Sequence, residues 1–184
     1  MSNRIPSVGT LVEAVAFAAD KRRAQWRKDI AASPYINHPI ALANVLANEG
    51  GVTNLTALCA AVLHDTVEDT DTTEQELAER FGNDITSVVM EVTDDKSLDK
   101  ARRKELQIEH APHMSYAARL VKLADKISNL RDILASPPAD WSTERKQAYF
   151  DWAAQVVEGL RGTHPTLEGV FKAVYARRVE LGCQ

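Results

Sequence analysis

Apolar residues recur at helical spacing along most of the chain, and the two-residue alternation of half-buried strands is nearly absent. Val8 to Lys28 predicts a first helix, with Leu11, Val15, Ala18 and Arg22 on one stripe. The turn Ser33-Pro34-Tyr35-Ile36-Asn37-His38-Pro39 puts Pro39 at the first position of a second helix, which runs to about Asn48 and stops at Gly50-Gly51. Thr53 or Asn54 caps a third, whose apolar face is Leu55, Leu58, Cys59, Val62 and Leu63. Thr73 and Glu76 have capping-box spacing ahead of Leu77 and Phe81, and Gly82 ends that helix. Asp84 is expected to cap Ile85 to Val92, and Lys100 to Glu109 reads as a charged, exposed helix. Tyr116 to Leu134 is long and amphipathic, with Leu120, Leu123, Ile127, Leu130 and Leu134 inward, and Pro137-Pro138 breaks it. Ser142 or Thr143 starts a helix to about Leu160, and Thr166 to Leu181 makes the last.

These elements predict an all-α orthogonal bundle of roughly eight to ten helices, forming one domain over residues 1–184 with its core from about 8 to 178. The 184 residues suffice to bury such a core without disulfide or metal. Lys and Arg number 22 against 26 Asp and Glu, a net charge of −4. That balance argues against a nucleic-acid coat, so an anionic ligand must be met by a local cluster of cations. No apolar run reaches the ~18 residues of a membrane span. The first apolar stretch holds Glu13 and Asp20, which reads as a core helix rather than a signal peptide. Two cysteines, Cys59 and Cys183, make no disulfide framework. A cytoplasmic protein is the expectation.

His64-Asp65-Thr66-Val67-Glu68-Asp69 is the sharpest chemical feature. Following an apolar run, it is expected on the last two turns of that helix, where His64 with Glu68, and Asp65 with Asp69, share a face. An imidazole and three carboxylates at one helix end are costly without compensation, which a divalent cation would provide. A solvated helix end is the competing reading, although acidic groups there oppose the macrodipole. Two further donors have suitable settings. His38 lies in a proline-flanked turn, and Asp125 lies mid-way along the long amphipathic helix. A carboxylate there is metal-bound or paired, with Lys122 or Arg131 as candidate partners.

The order His38, His64-Asp65, Asp125 resembles the signature of the HD metallohydrolase superfamily. Arg27-Lys28, Tyr35-Ile36-Asn37-His38-Pro39, His64 to Thr70, Val92-Thr93-Asp94-Asp95-Lys96 and Lys122 to Leu130 are similar to the hydrolase domain of RelA/SpoT proteins, and most of all to the single-domain metazoan SpoT homologues, the small alarmone hydrolases. The resemblance runs from about Val8 to Arg178 and leaves no room for the synthetase and regulatory domains of longer members. It implies hydrolysis of guanosine tetra- or pentaphosphate to GDP or GTP and pyrophosphate. It further implies that His38, His64, Asp65 and Asp125 hold one metal ion, usually Mn²⁺ in that family, with Glu68 and Asp69 as the catalytic acidic pair. By the same carry-over Arg27 and Lys28 contact the nucleotide, Asn129 the ribose, and Lys100, Arg145 and Tyr149 the substrate side. Trp26 stands where the group usually has another basic residue.

A two-histidine, two-carboxylate donor set suits Mn²⁺ or Fe²⁺, with Mg²⁺ or Zn²⁺ also accommodated. The acid and base roles of Glu68 and Asp69 are open at this level, because their environments decide them. Other readings of the same site are an NADPH 2′-phosphatase or another nucleotide phosphohydrolase, a dinuclear cyclic-nucleotide phosphodiesterase, and a non-catalytic nucleotide sensor. His110 and His113 flank Pro112 and read as loop residues, His164 as a surface turn, Cys59 as a small core residue, and Trp141 and Trp152 as core.

Overall fold

The computed structural model describes residues 5–27 and 32–182. Lys28 and Cys183, singled out above, lie outside the described residues. Among the described residues there is no sheet, and the one isolated bridge pairs Trp26 with Pro34. Ten α-helical segments follow in order: α1 Val8–Lys21, α2 Asn37–Asn44, α3 Leu55–Leu63, α4 Thr66–Asp69, α5 Glu74–Phe81, α6 Asn83–Val92, α7 Lys100–His110, α8 Tyr116–Ala135, α9 Thr143–Glu158 and α10 Pro165–Ala176. A π-helical turn, Val45–Glu49, continues α2, and 3₁₀ turns cover Ala111–His113 and Arg177–Gly182.

The local chemistry of the chain explains most boundaries. Asn54, Thr73, Asp99, Ser115 and Ser142 each accept a backbone N–H three residues on, and so start α3, α5, α7, α8 and α9. Gly82, at φ +83, ends α5 and starts α6 in one residue. Gly82 takes the place expected of Asp84, which lies inside α6 and makes no cap. His164 is a cap rather than a plain turn residue: Nδ1 accepts from the Leu167 N–H, with Pro165 opening α10.

Two other expectations change. The first helix ends at Lys21, not Lys28, and buries Thr10, Ala14, Phe17 and Ala18, a face rotated from the predicted stripe. Pro39 is the third residue of α2, not the first, since the turn of Asn37 and His38 is already helical.

α8 is the central element and packs against α2, α3, α6, α9 and α10. Its five predicted inward leucines and isoleucines are all buried. In α3 every residue from Ala57 to Leu63 is buried, so a uniformly apolar helix delivers its C-terminal end to the interior. α7 buries none of its residues, as its charge suggested. Buried side chains join one hydrophobic core, from Ala14 to Leu181.

Candidate active site

The predicted continuous helix through the His64–Asp69 segment is broken. α3 stops at Leu63, whose carbonyl accepts the Thr66 hydroxyl at 2.7 Å, and Asp65 takes φ −101, ψ 3 between α3 and the single turn α4. A polar side chain that captures the helix's own carbonyl competes with the next turn. His64 and Asp65 therefore lie in the break, and Glu68 and Asp69 in a separate turn, rather than together on the last two turns of one helix.

The break opens onto a cavity of about 200 Å³ walled by His38, His64, Asp65, Glu68, Asp69 and Asp125 among others. Six residues from α2, the α3–α4 segment and α8 thus meet at one place. The His38 and His64 rings are 5.5 Å apart. His38, His64 and Asp65 each offer a ligand atom within 4.8 Å of the others. Asp125 joins them from α8, with Oδ1 3.4 Å from His38 Nε2. Asp125 pairs with neither Lys122 nor Arg131: its partner is Lys126 at 3.0 Å, while Arg131 binds Glu49 at 2.6 Å.

The hydrogen bonding of His64 tests whether a metal ion fits. Its Nδ1 lies 2.9 Å from the Ala61 carbonyl. A carbonyl only accepts, so Nδ1 carries a proton. Nε2 is buried, makes no hydrogen bond, and lies 3.0 Å from Asp65 Oδ2. A buried nitrogen held this close to a carboxylate by a fixed ring is the arrangement expected of a metal ligand. The donors present fit a divalent ion.

Electrostatics at the centre agree. Burial works against a proton on His38, but Asp125 and Asp132 outweigh it and hold the imidazole up to about 9. Burial also opposes ionisation of Asp65, and the flanking His64 and His38 overcome it, holding the carboxyl well below its usual range. Asp125 behaves in the same way, with Lys126 and His38 outweighing burial. Without an ion, the His38 proton and the Lys126 ammonium balance the Asp65 and Asp125 carboxylates, and a divalent ion would take the place of that proton.

The acidic pair has a different setting. Glu68 Oε2 accepts the Asp94 N–H at 3.2 Å, and Oε1 lies 3.8 Å from Arg103. Burial, with Asp65 and Asp94 nearby, pushes the Glu68 carboxyl above its ordinary value. Asp69 is bound by Lys96 and lies 3.9 Å from buried Arg22.

The substrate-side residues separate into two groups. Asn129 and Tyr149 line both the main cavity and an adjoining one of about 170 Å³, which Arg27 and Trp141 also wall. Asn129 donates its Nδ2 to Asp125 Oδ1 at 2.7 Å, so its carbonyl oxygen remains available. Arg27 is 2.7 Å from Asp132. Lys100 and Arg145 line neither cavity. They are close enough to Lys104 to oppose its charge, after burial itself, and Arg145 stacks over Trp141 at 4.5 Å, so they belong to a cationic rim.

Several residues at the site stood in the quoted motifs or helices but were assigned no role there by the sequence. The Tyr35 hydroxyl donates to Asp65 Oδ2 at 2.7 Å, under the guanidinium of Arg22 at 4.1 Å from its ring. Lys122 and Lys126 are buried in α8, where lysines in an amphipathic helix read as solvent-facing. Trp152, expected in the core, is half-buried and walls the cavity beneath Lys126, 4.2 Å from its ring. His110 and His113 stand at the Ala111–His113 turn and do not reach this cavity.

The HD domain family model matches residues 14–157, most of the chain. The chain belongs to the HD-domain family. Among curated relatives, guanosine-3′,5′-bis(diphosphate) 3′-pyrophosphohydrolase MESH1 of Xenopus tropicalis is 56% identical over 159 residues, which cover 86% of this chain and 89% of that one. The Homo sapiens protein of the same name is 55% identical over 168 residues, covering 91% and 94%. A solved structure of a metazoan orthologue of SpoT, described as hydrolysing ppGpp and playing a role in starvation responses, superposes with a TM-score of 0.90 at 45% identity and covers 95% of this HD-domain chain and 98% of its own. No helix among the described residues is long and apolar enough to cross a membrane.

Proposed function

We propose that this HD-domain chain is a guanosine-3′,5′-bis(diphosphate) 3′-pyrophosphohydrolase, converting guanosine tetra- or pentaphosphate and water into GDP or GTP and pyrophosphate. The observation that carries the reading is the meeting of the metal-competent group His38, His64 and Asp65 with Asp125 beside it and two further carboxylates on one cavity wall, in a chain 56% identical to a relative bearing that name. His38, His64, Asp65 and Asp125 would hold Mn²⁺ in a single cytoplasmic domain. A divalent ion bound there would neutralise phosphate charge and make water more acidic.

The chain's own residues account for the other requirements. Water must attack the phosphorus attached to the ribose 3′ oxygen, and that P–O bond must break. Glu68 has the proton affinity to take the proton from water, since burial and two nearby carboxylates raise it. Its Oε2 is held by the Asp94 N–H, and Oε1, 3.8 Å from Arg103, is the oxygen left to take the proton. Asp69, bridged to Lys96, handles protons around the departing pyrophosphate. The free carbonyl of Asn129 accepts from a ribose hydroxyl, and Tyr149 walls the passage into the second cavity. Arg27 and Lys28, with the rim cations Lys100 and Arg145, draw in a polyanion that the net charge of −4 would otherwise repel.

Incubation of the Mn²⁺-loaded protein with guanosine tetraphosphate, and separately with NADPH, tests the reading by its products. Pyrophosphate and GDP are expected from the first. Orthophosphate from NADPH with no pyrophosphate from guanosine tetraphosphate would replace this reading with a 2′-phosphatase.

A further inference from the structure

α7 buries none of its residues, yet one of them, Gln107, reaches the wall of the main cavity. Its side-chain amide is fully engaged. Nε2 donates to both oxygens of Asp94, at 3.0 and 2.8 Å, and Oε1 accepts from the Lys126 ammonium at 2.9 Å. This orientation is the one the chemistry permits, because the reversed amide would set oxygen against carboxylate and NH₂ against ammonium. No charged side chain can replace it. A carboxylate would repel Asp94, and an ammonium would repel Lys126.

On either side the same chain of contacts reaches the chemistry. Lys126, 2% exposed, donates to Asp125 Oδ2 at 3.0 Å. The Asp94 N–H donates to Glu68 Oε2 at 3.2 Å. A continuous path of contacts therefore runs from Asp125 through Lys126, Gln107 and Asp94 to Glu68, and its middle link comes from α7, the helix that also brings Arg103 to 3.8 Å from Glu68.

We infer that Gln107 is a positioning residue for hydrolysis: by clamping the Asp94 carboxylate it fixes the backbone N–H that aims the Glu68 carboxylate, and it ties that aim to α8. The inference rests on the reading of Glu68 as the group that takes a proton from water. Gln107 acts through Asp94 and touches no reacting atom, so its loss lowers turnover rather than substrate affinity.

Gln107→Glu and Gln107→Leu, made in the full chain loaded with Mn²⁺, test it in three ways. Amide hydrogen exchange at Asp94, followed without substrate, is expected to rise at least about tenfold while the buried amides of α8 are unchanged. Turnover of guanosine tetraphosphate is expected to fall at least about tenfold with KM within about threefold. In a Glu68→Gln background, removing Gln107 is expected to cost nothing further, as for residues acting through one another. The nearly isosteric Gln107→Glu keeps the experiment decisive if the leucine variant fails to fold. Unchanged exchange at Asp94, a KM effect at constant kcat, or full additivity with Glu68→Gln would each overturn the inference. A wild-type protein that released no pyrophosphate would sink the functional reading instead, and exchange at Asp94 would still decide whether Gln107 positions that amide.

Discussion

The Tyr35 hydroxyl donates a 2.7 Å hydrogen bond to Oδ2 of Asp65, thirty residues away, and holds the carboxylate that faces His64. A hydrogen bond to a charged group contributes about 1.5–3 kcal/mol, and outer-shell partners of metal ligands typically govern about 10–100-fold in affinity. Tyr35→Phe is therefore expected to weaken Mn²⁺ binding by about that factor, measured by competition with a chelator, with the fold intact.

Stability of the metal-free protein should depend on pH through His38. Its folded value of about 9 exceeds the ordinary 6.5, so the protonated imidazole is favoured in the fold. The sign follows: the contribution is complete below about pH 6.5, and disappears as pH rises through about 9. At 1.36 kcal/mol per unit the contribution is about 3 kcal/mol. Denaturant melts in chelator from pH 6 to 9.5 should show the loss, and His38→Ala should flatten it. Added Mn²⁺ should stabilise most at the alkaline end, where no proton competes for the ring.

Glu68→Gln removes the proton acceptor while its amide oxygen can still take the Asp94 N–H. General-base catalysis is worth about 10²–10⁴-fold, and kcat is expected to fall by that much with Mn²⁺ content unchanged. Turnover near that of the wild type would remove Glu68 from the mechanism.

The rim cations should act on capture rather than on chemistry. Arg145→Ala is expected to raise KM about fivefold, the equivalent of about 1 kcal/mol, with kcat nearly constant. Steady-state kinetics at two ionic strengths checks this, since salt should shrink the difference.

Gly159 marks a close approach of α9 to the turn after α7. A Cβ there would come within 2.9 Å of the Ala111 Cβ and 3.0 Å of the Pro112 Cδ. Overpacking of this kind costs about 1–3 kcal/mol, so Gly159→Ala should lower Tm by several degrees in a thermal melt.

How much of this was legible in the chain differs from one residue to the next. The helical periodicity, the caps at Asn54, Ser142 and Thr73, and the inward face of α8 follow from local spacing and side-chain hydrogen bonding, which any short peptide segment already encodes. His38, His64, Asp65 and Asp125 were visible as donors in costly positions, and the motifs around them marked the family resemblance. The break at His64-Asp65 was not visible, because it arises from Thr66 competing for the Leu63 carbonyl at the buried end of α3.

The sequence alone therefore determined an all-α chain and the residue types of a metal-competent centre, since both are written in periodicity and in the cost of burying charge. Tertiary structure alone decided the partners. Asp125 with Lys126 rather than Lys122 or Arg131, Tyr35 with Asp65, and Gln107 between Asp94 and Lys126 are choices among equally plausible polar groups. Which of them meet depends on how helices pack around α8, and no local spacing along the chain carries that distance.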